Sequence, residues 1–218
     1  MTKCANIIIL NMTHSTSKKN QLIIKNLIDK VIAVIILVIA SPFLLILASL
    51  IKLTSKGSIL FKQERCGLNE KRFFCYKFRT MVFNAETIKT DFLSLNEMKG
   101  PVFKIKNDPR VTKIGSILRK TSLDELLQLF NVLKGDMSLV GPRPPIPEEL
   151  AKYENWQRRK LSMKPGLTCI WQVSGRNNVN FDQWMKMDLE YIDNWNLLLD
   201  LKLLLKTIPV VLFGKGAF

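Results

Sequence analysis

Histidine is almost missing from this 218-residue chain, and the one copy, His14, sits in a polar amino-terminal stretch. Triads built on an imidazole base are therefore excluded, and so is histidine-based metal chemistry. Cysteine is nearly as scarce. Cys4, Cys66, Cys75 and Cys169 make no C-x-x-C pair and no metal-finger spacing, which removes structural zinc and predicts reduced, mostly buried thiols in a chain facing the cytosol. Phosphate loops of the G-x-x-x-x-G-K-[ST] type and G-x-G-x-x-G dinucleotide loops are absent, as are internal repeats and low-complexity tracts. Acidic residues are outnumbered, 18 against 33 Lys plus Arg, for a formal charge of +15. That excess predicts an anionic partner: nucleic acid, anionic lipid or a phosphorylated substrate. With 47% apolar and 23% charged residues, wholesale disorder is excluded, and the length suits one modest domain with an added element.

The charge is uneven along the chain. Residues 1–81 hold 13 basic residues against Asp29, Glu64 and Glu70, and most of them flank residues 31–51, a run of 21 without a charge that is long enough to cross a bilayer. The run is too long for a secretory signal, and no small-x-small cleavage site follows it. Ser41-Pro42 divides it, and an interior proline removes one helical hydrogen bond at a cost of about 3 kcal/mol unless something compensates. Two topologies follow: a kinked spanning helix, or a re-entrant element that breaks at Ser41-Pro42 and returns to the same face. Positive charge marks the cytoplasmic end of a spanning helix. Here Lys18, Lys19, Lys25 and Lys30 precede the run, and Lys52, Lys56, Lys62, Arg65 and Lys71 follow it, which favours the re-entrant form. Each arm of ten residues would reach about 15 Å, half the hydrocarbon thickness.

The rest reads as mainly α with a small β element. Residues 1–20 are expected to be a loosely held polar tail. A hairpin is expected over 59–84 with its turn near Gly67 and Asn69, and helical structure over 85–100. A turn at Asp108-Pro109 leads into a short helix ending near Lys120, and a clearer helix is expected over 122–133. Residues 135–147 read as a Gly/Pro loop, 148–162 as a helix, 165–180 as a loop with a strand at 167–173, and 181–191 as a helix. The closing stretch, ending in GKGAF, is amphipathic.

The sharpest local feature is Ser122-Leu123-Asp124-Glu125 at the start of an apolar helical pattern. One reading is structural: S-x-x-E is a capping box, and acids in a first turn complement the macrodipole. The other is chemical. An amide-rich helix start binds phosphate and favours ionised Asp124, a carboxylate able to attack phosphorus while Glu125 holds magnesium (Mg2+) beside it. Lys77, Arg79, Arg119, Lys120 and Arg143 supply cations for phosphate oxygens. The loop GDMSLVGPRPP, residues 135–145, is either a plain turn or a rigid mount that aims Arg143.

With KFRTM at 77–81, NDPRVTKIG at 107–115 and TSLDELLQLFNVLKGDMSLVGPRP at 121–144 in view, the chain resembles the bacterial sugar transferases, monotopic phosphoglycosyl transferases that start lipid-linked glycan assembly. The resemblance runs from about Leu22 to the carboxyl terminus. It implies a re-entrant membrane hairpin over 21–52 broken at Ser41-Pro42, and a compact cytosolic catalytic domain over 53–218 with amphipathic interfacial helices, at the bacterial inner membrane. It implies that Asp124 attacks the sugar-bearing phosphorus of a UDP-sugar, that UMP leaves, and that polyprenyl (undecaprenyl) phosphate then takes the hexose 1-phosphate from the enzyme. Glu125 is implied as the Mg2+ ligand, and Lys77, Arg79, Arg119 and Arg143 as the phosphate-binding set. The segment 171–207 resembles the glucose or galactose 1-phosphate branch. The pattern departs at Leu127, where such enzymes often carry proline, and a homodimer stays open because larger relatives usually carry additional amino-terminal helices.

Two rival functions differ in class. A glycosyltransferase that releases UDP is disfavoured by the lack of a D-x-D metal motif. A non-enzymatic basic membrane protein is disfavoured because aromatics cluster in apolar stretches rather than interleaving with basic residues, which also speaks against nucleic acid as a partner.

Overall fold

The computed structural model describes residues 2–98, 100–175 and 179–213, with the side chains of residues 2–17, 212 and 213 outside the description. The terminal GKGAF lies outside the described residues. The first element, α1, is one helix from Thr2 to Thr54. Residues 2–20 are thus helical rather than a loose tail, because extending an existing helix adds a hydrogen bond per residue without a second nucleation cost. Pro42 lies inside α1, and the helical conformation continues through Ser41-Pro42. The local reason is visible. Pro42 has no N–H for the Val38 carbonyl, and the Ser41 hydroxyl donates to that carbonyl instead, at 2.8 Å.

A hairpin follows, with β1 (Leu60–Cys66) antiparallel to β2 (Arg72–Phe78) and Cys66 opposite Arg72, as expected. Its turn takes Asn69 and Glu70 into the left-handed region, at φ 51° and 62°. Residues Thr87–Leu95 form a 3-10 helix. Next come α2 (Lys113–Thr121), capped by the Thr112 hydroxyl on the Gly115 N–H, a 3-10 segment Leu123–Gln128, and α3 (Leu129–Lys134). The Gly/Pro loop contains a strand, β3 (Ser138–Val140), which pairs in parallel with β4 (Gly166–Thr168). The expected strand at 167–173 therefore stops at Thr168, and α6 (Ile170–Ser174) begins at once. Gly141 and Gly166 face each other beside this pair; a Cβ on Gly141 would stand 2.9 Å from the Gly166 nitrogen, so glycine sets how closely the strands approach. The expected helix over 148–162 is three short pieces, α4 (Pro147–Leu150), α5 (Asn155–Arg158) and the 3-10 turn Arg159–Ser162. The chain closes with α7 (Phe181–Asp193) and α8 (Leu197–Phe213).

The apolar helix is gripped at two levels by one folded body. Ala33 is buried with Leu129, Val140, Tyr191 and Trp195, whereas Leu47 and Ile51 are buried with Phe78, Leu118 and Leu127. Leu127 thus fills apolar space beneath the helix. Between those grips the outer face is open: only 11% of the most apolar window is buried, and the stretch is long and apolar enough to cross a membrane. A third cluster packs Cys66, Tyr153, Cys169, Trp171 and Trp184 behind the hairpin. Cys66, Cys75 and Cys169 are free and buried, in line with the expected thiols.

Lys25 is not the free flanking charge expected. Its ammonium is buried against Asp200 of α8 at 2.5 Å and Asp29 at 3.6 Å. Asp200 also accepts hydrogen bonds from Tyr191 (2.6 Å) and Trp195 (3.1 Å), and Asp29 accepts one from Ser138 (2.6 Å). Removing one partner of such a network leaves an uncompensated buried charge, which costs about 3–5 kcal/mol, whereas replacing both with apolar residues costs less. Asp200→Ala is therefore expected to lower stability by about 3 kcal/mol or more, and Lys25→Met with Asp200→Leu by less, read as denaturation midpoints in detergent.

Candidate active site

Three segments far apart in the chain converge on one carboxylate. Lys77, on β2, reaches Glu125 of the 3-10 segment at 2.5 Å, and Arg143 of the Gly/Pro loop stands 3.5 Å from the same Oε1. Asn131 sets the first contact: its side chain, fully buried, accepts from the Tyr76 N–H at 3.2 Å and donates to the Phe74 carbonyl at 2.7 Å, pinning α3 to β2. Arg65 and Cys66 of β1 set the second. The Arg65 guanidinium donates to the Pro144 carbonyl at 2.8 Å and the Cys66 N–H to the Pro145 carbonyl at 2.9 Å, which fixes the backbone next to Arg143.

The capping box is not formed. Ser122 ends α2 in the left-handed conformation, φ 57°, where a capping residue needs an extended one, and Glu125 turns to Lys77 and Arg143. Ser122 instead ends one helix and redirects the chain so that Asp124 and Glu125 line a cleft of about 440 Å³. Lys77, Arg79, Arg119 and Arg143 line the same cleft.

The two carboxyls are driven apart. Burial raises Asp124, the neighbouring Glu125 charge adds to the rise, and Lys77 and Arg119 oppose it; the result is a pKa of about 6. Asp124 is 8% exposed, and a backbone hydrogen bond at the 3-10 turn favours its anion but is outweighed by burial. Burial pushes Glu125 upward too, but Lys77 and Arg143 outweigh it and hold that carboxyl at about 2. Adjacent residues thus supply one permanent anion and one that titrates near neutrality.

The expected cations have different parts. Arg119 lines the cleft with its Nε donated to the Thr80 hydroxyl at 3.0 Å, and Asp124 is the leading charge that supports its protonated form against burial. Arg79 is largely committed elsewhere: it donates to the Lys56 carbonyl at 2.5 Å, to the Ser55 carbonyl at 2.9 Å and to the Ser55 hydroxyl at 2.7 Å, closing the carboxyl end of α1. Ser41 and Pro42 lie on the exposed part of α1 and line no part of this cleft. Arg65, Thr80 and Arg110 were not singled out by sequence, yet all three line the cleft. Arg110 is held in a two-point bond to Asp108, at 2.9 and 2.6 Å. The signal for it was present in the NDPR turn, whereas Arg65 looked like one more flanking charge.

Among the described residues no cluster of three or more His, Cys, Asp or Glu could enclose a metal. Glu125, ionised and facing the cleft beside Asp124, fits the other mode of holding magnesium, in which one or two carboxylates share the ion with substrate phosphates and water.

The model of the bacterial sugar transferase family matches residues 20–214, which takes in every cleft residue named above. The chain belongs to the bacterial sugar transferase family. Among its relatives, galactosyl transferase CpsE of Streptococcus agalactiae serotype III (strain NEM316) is 49% identical over 201 residues, covering 92% of this chain and 44% of that protein. The undecaprenyl-phosphate galactose phosphotransferase of Salmonella typhimurium is 43% identical over 217 residues, 97% of this chain and 45% of that one. The exopolysaccharide production protein ExoY of Sinorhizobium fredii is 42% identical over 198 residues, 89% of this chain and 88% of its own length. The chain thus spans less than half the length of the first two of these curated relatives and most of the third.

Keeping Asp124 ionised weakens this sugar transferase fold. A carboxyl whose pKa is raised on folding costs stability above that pKa, and the cost vanishes below the unfolded value near 4; a rise of this size corresponds to about 3 kcal/mol. Asp124→Asn is therefore expected to be at least as stable as the parent at pH 8, with any advantage shrinking as pH falls through 6 toward 4, measured as Tm against pH.

Proposed function

We propose that the chain transfers a hexose 1-phosphate from a UDP-sugar to polyprenyl (undecaprenyl) phosphate in two steps through Asp124. The single observation that carries this reading is the adjacent pair of carboxyls with opposed pKa shifts in a cation-lined cleft. In the first step an Asp124 oxygen attacks the sugar-bearing phosphorus, the P–O bond to the other phosphorus breaks, and UMP leaves with the bridging oxygen. In the second, an oxygen of the lipid phosphate attacks the same phosphorus and the bond to Asp124 breaks, returning the carboxylate and leaving a lipid diphosphate sugar. Both nucleophiles are anions already, so neither step needs a side-chain base, in keeping with a cleft that holds no histidine among its lining residues.

Lys77, Arg119 and Arg143 bind and orient the phosphates, and Glu125 would hold Mg2+, which when bound offsets phosphate charge. The names of the relatives, a galactosyl transferase and an undecaprenyl-phosphate galactose phosphotransferase, support a hexose donor and this acceptor. The name of ExoY supports a role in building exopolysaccharide or a related glycan. Purified protein in detergent with UDP-galactose or UDP-glucose, undecaprenyl phosphate and Mg2+ is expected to release UMP, and labelled donor without lipid is expected to leave one phosphosugar per chain. Asp124→Asn should abolish both, and release of UDP instead would overturn the mechanism. Because attack needs the anion, kcat/KM of the parent should fall as pH drops through about 6.

We also propose that the apolar helix keeps both ends on the cytosolic face of the bacterial inner membrane. The supporting observation is that Lys25, Asp29 and Ala33 before the midpoint and Leu47 and Ile51 after it all pack on the same folded body. Bending in the bilayer would fall at Ser41-Pro42, where a side-chain hydrogen bond already stands in for the missing backbone one. Leu198, Leu201, Leu205 and Ile208 form an exposed stripe on α8, which suits a helix resting on the same interface. Cysteines introduced for Lys19 and Lys56 are expected to react with an impermeant thiol reagent in inside-out vesicles only; modification of either one from the opposite face would restore the spanning helix.

A further inference from the structure

One rim of the cleft that contains Asp124 is apolar and faces outward. Val82 and Phe83 line it, Phe83 is 79% exposed, and Phe61 and Met81 continue the apolar lining inward. A lone exposed phenylalanine would mean little. This one is seated against the segment that follows α1: a Cβ on Gly57 would come within 2.8 Å of the Phe83 ring and would collide with the Arg79 guanidinium. Leu53, in the last turn of α1 and four residues before Gly57, is 83% exposed, so the rim lies beside the exposed end of the apolar helix. The rim is also fixed. The Val82 N–H donates to the Arg110 carbonyl at 2.9 Å and the Ala85 N–H to the Val82 carbonyl at 3.1 Å, and Arg110 is itself held by Asp108.

One cleft is thus lined by the exposed Phe83 and by the buried Arg79 cation and Asp124. That combination matches an amphiphile with an anionic head and an apolar chain. Resting on the reaction proposed above, we propose that Val82 and Phe83 form the sill over which the isoprenoid chain of the lipid-phosphate acceptor leaves the cleft, its phosphate turned inward past Arg79. The water-soluble donor gains nothing from an apolar edge beside a membrane helix, whereas the chain of the acceptor stays in the bilayer and must pass from the cleft into it at such an edge.

The test pairs kinetics with a probe that needs no turnover. In lipid nanodiscs Phe83→Ser is expected to raise KM for undecaprenyl phosphate about tenfold with kcat nearly unchanged, to leave acceptor-independent UMP release at the parent rate, and to be rescued by Phe83→Leu. A polyprenyl phosphate carrying a diazirine near its phosphate is expected to label residues 81–85 of the parent protein, and unmodified polyprenyl phosphate should compete. An unchanged acceptor KM with no labelling there would overturn the sill. Parallel loss of acceptor-independent UMP release, or loss of the variant from the membrane, would overturn it in favour of a structural or anchoring role. Labelling at the rim in a protein that releases no UMP with any donor would keep the lipid site and overturn the proposed reaction instead.

Discussion

Glu125 shares one oxygen between Lys77 and Arg143, and the arrangement of the cleft depends on that shared contact. A buried carboxylate is costly without partners, and here the partners come from a hairpin strand and a proline-rich loop that have no covalent reason to meet. Bringing them together requires Asn131 to bridge α3 and β2, and Arg65 to hold the Pro144 carbonyl. Once Glu125 is held ionised, its charge helps raise the carboxyl next to it, so the state of Asp124 follows from the same contact. An acid that titrates near neutrality and one that stays ionised there can then divide nucleophilic and ion-holding work, as the proposed reaction requires.

What could be read along the chain was whatever lies close together in it. Asp124 and Glu125 are neighbours, Lys77 and Arg79 stand two apart where β2 ends, and Arg143 is framed by Pro142 and Pro144, so residue types and spacing pointed to them before any fold was known. Asn131 and Arg65 were invisible because their partners lie 55 and 79 positions away, and nothing local distinguishes either from an ordinary polar residue. Ser122 misled for a related reason. Its spacing to Glu125 is that of a capping box, but the backbone turns left-handed there, and tertiary contacts with Lys77 outcompete the local bond. The short helices between Pro147 and Ser162 were merged into one because charge periodicity does not report where the chain must bend around Tyr153 and Leu161.

Membrane placement follows a similar division. The apolar run is plain in the sequence, and its hydroxyl-compensated proline could be inferred from Ser41 standing beside Pro42. The burial of Lys25 could not, since a lysine just before an apolar run looks like an interfacial charge until Asp200, 175 positions later, is seen to meet it. That pair changes the charge argument, because it removes Lys25 from the amino-terminal flank and leaves Lys18, Lys19 and Lys30 as the cations there.

The same pair also explains how a weakly buried helix can stay registered with a catalytic cleft. Apolar contact between a helix and lipid has no preferred depth or rotation, because lipid tails are as apolar as the side chains they meet. A buried ion pair with Tyr191 and Trp195 donating to it has one geometry that satisfies every group, and any slide of the helix would strand a charge. At the other end Arg79 closes α1 onto the strand that carries Lys77. Fixed at both ends, the helix holds a constant position relative to Asp124, and in the reaction proposed above a lipid phosphate arriving from the membrane would meet that carboxylate at a depth that does not drift.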